Sequence, residues 1–184
     1  FLEPLGNAML LLDVPAIAIT PFRQGGAAER QAVAEAVARA CRDIGFLVIS
    51  GHGVDATLIE QSRSVSRAFF DLPLAEKQRV ARPAAHIARG YIGLDEESLA
   101  RSRDPAAYGS DLNESPMIGP AEGPPPTVAA MGAAHFAPNL WPEQPAGLRE
   151  TYSAYYLAMG RLAATVMRIF ALALKLPETF FDDE

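Results

Sequence analysis

Three histidines and one cysteine are the side chains of this sequence best suited to bind a transition metal. His52, His86 and His135 lie far apart, and none has a second histidine at the spacing of a metal-binding pair. Cys41 is the single cysteine, so the chain can form neither an internal disulfide nor a cysteine cluster for zinc. We expect Cys41 on the buried side of a helix, as an inert small side chain.

His52 lies between two glycines, in Gly51-His52-Gly53, directly after an apolar run. Flanking glycines permit tight backbone geometry. The spacing matches neither a P-loop nor a dinucleotide-binding fingerprint. We therefore predict that the imidazole stabilises a turn by hydrogen bonds and does not bind a metal.

The composition indicates a globular domain with an acidic surface. The chain has 184 residues, of which 49% are hydrophobic, and a formal net charge of −6. This length allows one domain with a sizeable core. The acidic balance disfavours nucleic acid and anionic membranes as partners. A single cysteine fits a reducing compartment, so we expect a cytoplasmic protein.

Residues 152–176 are apolar enough to be mistaken for a membrane span. Arg161, Arg168 and Lys175 interrupt them at intervals of seven residues. Seven residues make about two helical turns, so the three charges share one face. Each charge at the bilayer centre costs about 2.5–3.5 kcal/mol. We therefore predict a helix on a domain surface, with one edge in water.

Apolar periodicity predicts two strands that alternate with helices. Alternating β-branched residues indicate a strand at 14–19, and apolar steps of three and four residues indicate a helix at 29–43. A wholly apolar strand, buried on both faces, is predicted at 46–49. Asp55 is a suitable N-cap for the next helix. The longest helix is predicted at 145–176.

The composition divides the chain into three segments. Residues 1–81 form the strand–helix–strand–helix region, 82–142 are rich in Gly and Pro, and 143–184 contain the long helix. Within the middle segment, we predict ordered structure at residues 90–92 and 111–118. Two isolated strands lack the partners that a stable sheet needs. We therefore interpret the chain as the helical flank of a larger structure.

Eight short motifs follow one another along nearly the whole chain. They are Val14-Pro15-Ala16-Ile17, Cys41 with Gly45-Phe46, Gly51-His52-Gly53-Val54, Phe69-Phe70-Asp71-Leu72-Pro73 with Lys77, Gly90-Tyr91, Asp111-Leu112-Asn113-Glu114, Asn139-Leu140-Trp141-Pro142, and LALKLPETFF at 172–181. In this order they resemble the N-terminal region of the isopenicillin N synthase-like family of non-haem Fe(II), mostly 2-oxoglutarate-dependent oxygenases. Gly51 and Asn113 depart from the family's usual Asn and Lys, which bears on the subfamily and not on the family.

The resemblance implies an α+β fold, the helix-rich N-terminal flank of a double-stranded β-helix (jelly-roll) oxygenase whose jelly roll is largely missing from this chain. The family holds Fe(II) by a His-x-Asp/Glu pair and a later His. It grips 2-oxoglutarate by an Arg-x-Ser pair. No histidine here has an acid two positions on, and no arginine has a serine there. The resemblance thus implies Fe(II) and 2-oxoglutarate in the full-length protein, neither bound by residues of this chain, which alone is expected to be inactive.

The resemblance also implies that residues 82–142 pass over the mouth of the jelly roll and supply substrate contacts. Asn113, Ser115 and Met117 alternate, so in a strand they would share a face. The guanidinium of Arg89 suits an acidic substrate. The candidates for substrate binding are Arg89, Tyr91, Asn113, Ser115 and Met117.

We therefore expect the N-terminal part of an Fe(II)/2-oxoglutarate-dependent dioxygenase that hydroxylates, desaturates or cyclises a small organic substrate. Two alternatives stay open. One is a 2-oxoglutarate-independent oxidase of the same family, and the other is a non-catalytic helical module that packs its long helix on a partner. A small molecule is the expected partner, without nucleic acid or membrane, and the oligomeric state is left open.

Overall fold

The computed structural model describes residues 13–94, 96–97, 111–120 and 136–182. In chain order the elements within these residues are β1 (Ala16–Ala18), α1 (Thr20–Gln24), α2 (Ala27–Asp43), β2 (Val48–Ser50), α3 (Ala56–Phe70), α4 (Leu74–Gln78), β3 (Gly90–Ile92), β4 (Ser115–Met117) and α5 (Leu148–Ala173).

The chain packs as two compact units. The first contains the residues up to Val54 and those from Met159 onward, and the second runs from Asp55 to Ala158. Helix α5 therefore begins in the second unit and ends in the first. This division differs from the three sequence segments, whose boundaries stay predictions.

The first unit combines a two-stranded parallel sheet with helices. Strand β1 pairs with β2, and Ile17 lies opposite Ile49. Helix α2 begins after Gly26, whose backbone N–H donates to the Glu29 carboxylate at 3.0 Å. The core residues of this unit come from α1 with its preceding residue, from α2 and from the end of α5: Ile19, Phe22, Val33, Ala34, Val37 and Ile169.

The predicted burial of the second strand on both faces is wrong. Leu47 and Ile49 pack against the core of the first unit, whereas Phe46 is 72% exposed and Val48 is 54% exposed. Consecutive side chains of a strand point to opposite faces, so a single covered face buries only alternate residues. The prediction for Cys41 is also wrong, because this side chain is exposed on α2.

The second unit combines an antiparallel pair of strands with α3, α4 and the start of α5. Strand β3 pairs with β4, and Tyr91 lies opposite Pro116. The core consists of Phe69, Val80, Tyr91 and Leu148. The side chain of Asp55 accepts from the backbone N–H of Thr57 at 2.8 Å, so the predicted N-cap of α3 is confirmed.

Helix α5 is 26 residues long and, by length and composition, apolar enough to cross a membrane. Core helices of water-soluble proteins pass the same test, so this property is weak evidence for a membrane span. Arg168, on this helix, makes a bidentate ion pair with Asp182, with N–O distances of 2.9 and 2.8 Å. The predicted wet edge thus carries an ordered charge pair.

Candidate functional site

A polar cluster lies inside the second unit, where α4 meets the β3–β4 sheet. The Lys77 ammonium donates to Glu114 Oε2 at 2.7 Å and to the Phe70 carbonyl at 3.0 Å. The Tyr91 hydroxyl donates to the same Glu114 oxygen. Lys77 is only 7% exposed. A buried ammonium is costly unless it is paired, and here it is.

Burial, hydrogen bonds and charges within this cluster shift the pKa values of Tyr91 and Glu114. Burial raises the pKa of Tyr91 to about 12, and the hydrogen bond to Glu114 acts in the same direction. Burial alone would raise the pKa of Glu114. Hydrogen bonds from Lys77 and Tyr91, together with the charge of Lys77, outweigh burial and lower that pKa below its ordinary value. The cluster is therefore an ion pair with a protonated tyrosine.

This arrangement suits positioning better than proton transfer. The Lys77 ammonium also lies 5.6 Å from the centroid of the Tyr91 ring, within cation–π range. Glu114 directly precedes β4, so its two hydrogen bonds fix the start of that strand to α4 and β3. The sequence motifs contained Lys77 and Glu114, but nothing in their spacing indicated that the two would pair.

Arg89 directly precedes β3 and is half-buried. Its Nε is buried and lacks a hydrogen-bond partner, while one terminal nitrogen donates to the Ala88 carbonyl at 2.5 Å. The guanidinium lies against Gly119, where an added Cβ would collide with it. Gly119 in turn exchanges two hydrogen bonds with the side-chain amide of Asn139, at 2.8 and 2.9 Å.

The remaining substrate candidates lie at or near the same sheet but differ in exposure. Asn113 is exposed, Ser115 is half-buried and Met117 is 40% exposed. Ser115 and Met117 are two residues apart on β4. Tyr91 is 2% exposed, and its hydroxyl is engaged with Glu114. Their roles in substrate binding stay predictions.

His52 forms a turn, as predicted. Its Nδ1 accepts a hydrogen bond from the backbone N–H of Val54 at 3.1 Å. Gly51 and Gly53 have φ values of +66° and +73°, a region that L side chains rarely adopt. A Cβ on Gly51 would also collide with Thr20 Oγ1. The glycines are thus required by the backbone of the turn.

The family model described as "non-haem dioxygenase in morphine synthesis N-terminal" matches residues 14–144. The chain belongs to this family. It corresponds to the N-terminal region of the family of non-haem Fe(II)/2-oxoglutarate-dependent oxygenases, as the motifs predicted, and that family uses Fe(II) and 2-oxoglutarate.

Curated members of the oxygenase family align with nearly the whole chain. Validamycin A dioxygenase of Streptomyces hygroscopicus subsp. limoneus is 31% identical over 171 residues, which are 92% of this chain and 45% of that protein. The 2-oxoglutarate-Fe(II) type oxidoreductase hxnY of Emericella nidulans is 30% identical over 171 residues, or 91% of this chain and 48% of that protein. The chain thus spans about half the length of the curated relatives it matches.

Solved structures share the fold. A full-length Neurospora crassa protein, crystallised in complex with alpha-KG, superposes with a TM-score of 0.74 at 24% identity, over 92% of this chain and 49% of that one. A putative 2OG-Fe(II) oxygenase family protein from Caulobacter crescentus gives a TM-score of 0.73 at 25% identity, over 92% of this chain and 51% of that one.

The described part of this oxygenase region does not fit a metal centre. Within it, no group of three or more His, Cys, Asp and Glu side chains lies close enough to hold an ion. The Nδ1 of His52 already accepts a hydrogen bond within its own turn. The polar contacts described around the β3–β4 sheet join α4, β3 and the start of β4.

Proposed function

We propose that this chain is the N-terminal part of an Fe(II)/2-oxoglutarate-dependent dioxygenase that oxidises a small organic substrate. The observation that carries the proposal is the family match over residues 14–144. The 31% identity with validamycin A dioxygenase over 92% of the chain supports the same reaction class. A cytoplasmic enzyme that needs neither nucleic acid nor membrane is part of the proposal.

In this proposal the iron ligands lie in protein sequence outside these 184 residues, so the chain alone is inactive. The absence of a His-x-acid pair and of an Arg-x-Ser pair from the sequence supports this assignment. The match to slightly less than half of each curated relative supports it too.

The chain's own contribution is the substrate side of the site. Strand β4 carries Ser115 and Met117, which retain exposed surface, while Glu114 fixes its start through Lys77 and Tyr91. A strand held by buried contacts and exposed on one edge can hold a ligand in a fixed orientation, which is the main requirement for selective oxidation. We assign Asn113 to the same face as Ser115 and Met117.

Turnover by the full-length protein tests the proposal. Purified protein with Fe(II) is expected to consume O2 and convert 2-oxoglutarate to succinate, slowly without substrate and faster with the right one. The control replaces with alanine the first histidine of the His-x-acid motif that we expect after residue 184, and it should abolish succinate formation. The proposal is overturned by a full-length protein that binds no Fe(II) and forms no succinate. Substrate oxidation without 2-oxoglutarate would instead indicate the oxidase alternative.

A further inference from the structure

Arg89 is a cation whose hydrogen-bonding capacity is largely unused. A guanidinium carries five N–H donors. Within the described residues, the only hydrogen bond from Arg89 goes to the Ala88 carbonyl at 2.5 Å. Its Nε is buried without a partner, and buried polar groups in native proteins are almost always paired. Arg89 therefore has the properties of a ligand-binding arginine.

The carboxylates near Arg89 are engaged elsewhere. Glu96 and Glu97 both lie within ion-pair distance of Arg82, at 3.8 and 3.4 Å. Glu114 is bound by Lys77. Among the residues that the structure describes, no carboxylate lies within ion-pair distance of Arg89, in contrast to Arg82. The positive charge of Arg89 is thus uncompensated in this part of the chain.

The guanidinium lies against Gly119, which is held by Asn139, and we call these two residues the cradle. A Cβ on Gly119 would collide with three atoms of the guanidinium, so a larger residue here would displace the guanidinium from its present position. The Asn139 side chain holds Gly119 by accepting from its N–H at 2.8 Å and donating to its C=O at 2.9 Å. The guanidinium is thus restrained on one side by packing against Gly119 and by its hydrogen bond to the Ala88 carbonyl.

The cradle adjoins the strand edge assigned to the substrate. Gly90 pairs with Met117, so Arg89 lies beside the end of β4, on the side of Ile118 and Gly119. A guanidinium binds a carboxylate bidentately, and this geometry is its most selective interaction. We infer that Arg89 binds a carboxylate group of the substrate and makes this oxygenase selective for small organic acids. The inference rests on the proposed function, because it names the substrate class of the same site.

A carboxylate bound to Arg89 has a second candidate origin, which is an Asp or Glu side chain of protein outside the described residues. The two sources differ in whether a small carboxylic acid in solution can bind the Arg89 guanidinium. A substrate carboxylate competes for the guanidinium from solution, whereas a protein carboxylate would already occupy it.

Ligand binding to the full-length protein tests the inference independently of turnover. The protein is loaded with Fe(II) under nitrogen and saturated with 2-oxoglutarate, which fills the cosubstrate site. The probes are aliphatic and aromatic monocarboxylic acids, each paired with its primary carboxamide, and calorimetry gives each Kd. We expect acids that bind at least about tenfold more tightly than their amides, as a charge-assisted bidentate pair should. Arg89→Gln should remove this preference, and Arg89→Lys should restore only part of it, since an ammonium lacks the bidentate geometry.

Two further variants separate the cradle from general effects of charge. Gly119→Ala keeps Arg89 but displaces its guanidinium, and should weaken acid binding as Arg89→Gln does. Arg39→Gln removes an arginine on α2, in the first unit, and should leave every Kd unchanged.

Two results would overturn the inference. One is that no acid binds the wild-type protein more tightly than its amide. Another is that Arg89→Gln retains the preference. With either result, a melting temperature lowered by several degrees in Arg89→Gln would assign the guanidinium to a protein carboxylate. A full-length protein that binds no Fe(II) and forms no succinate would refute the proposed function, but a measured preference for acids over amides would still stand.

Discussion

At the residue scale, the Lys77–Glu114 pair is a partly buried ion pair in the second unit. The side chain of Lys77 is 9% exposed and that of Glu114 is 24% exposed. Removing one partner of such a pair leaves the other charge partly buried without compensation, which costs more than the pair itself contributes.

Lys77→Met is therefore expected to lower the free energy of unfolding by about 3 kcal/mol, at the lower end of the range for buried pairs because Glu114 retains some contact with water. Urea denaturation of the full-length protein measures the change. The matched control is Arg79→Met, which breaks exposed ion pairs with Glu76 and Glu143 and should change stability far less. Equal effects of the two variants would show that burial of Lys77 is unimportant.

The same cluster predicts how stability depends on pH. Glu114 has a lowered pKa in the folded state, so its contribution is present above its ordinary pKa and is lost as the pH falls through the folded value. Tyr91 has a raised pKa, so its contribution is present below its ordinary pKa of 10.0 and is lost as the pH rises towards about 12.

Unfolding free energies measured across pH should show both limbs. Tyr91→Phe removes the group that titrates at high pH and should flatten the alkaline limb, while Glu114→Gln should flatten the acid limb. Because each residue also shifts the other's pKa, the opposite limb should become smaller but persist, since burial still raises the pKa of Tyr91 and Lys77 still lowers that of Glu114. An unchanged alkaline limb in Tyr91→Phe would refute the assignment of that limb to Tyr91.

At the element scale, local patterns in the sequence predicted the helices well. The apolar repeat and Asp55 correctly located α3, and Gly51 and Gly53 correctly indicated a tight turn. The strand at 46–49 was placed nearly correctly, but its burial was not, because a run of apolar residues does not reveal how many faces are covered. The exposure of Phe46 and Val48 depends on the tertiary environment of the strand.

The N-cap of α3 gives a test at this scale. Asp55→Ala removes the hydrogen bond to the Thr57 N–H and should destabilise the protein by about 1 kcal/mol. Asp43→Ala is the control, because Asp43 is the last residue of α2, where a negative charge opposes the helix dipole. That change should leave stability unchanged or raise it slightly, as measured by urea denaturation. If the two variants lose stability equally, the cap is not what stabilises α3.

At the scale of the whole molecule, the order of eight motifs identified the family correctly, although each motif alone is weak. The sequence did not reveal the contacts within the candidate site, because they join distant parts of the chain. Lys77 and Glu114 are 37 residues apart, and Gly119 and Asn139 are 20 residues apart. Such contacts follow from packing, which local patterns do not encode.

His52, in the Gly51-His52-Gly53 turn, tests whether this chain supplies an iron ligand to the full-length protein. His52→Ala removes the acceptor for the Val54 N–H and should lower stability by about 1 kcal/mol. Iron stoichiometry, measured by metal analysis of the folded variant, should equal that of the wild type. A folded variant that has lost its iron would make His52 a ligand and would contradict its assignment to a turn.

The central proposal is that the full-length protein is an oxygenase whose iron and cosubstrate site lies outside the 184 residues, and that these residues contribute the substrate side of the site. The most direct measurement is anaerobic absorption spectroscopy with Fe(II) and 2-oxoglutarate, on the full-length protein and on residues 1–184 alone. We predict a metal-to-ligand charge-transfer band in the full-length protein and none in the 184-residue chain. A band from the shorter chain, or its absence from the full-length protein, would contradict the claim.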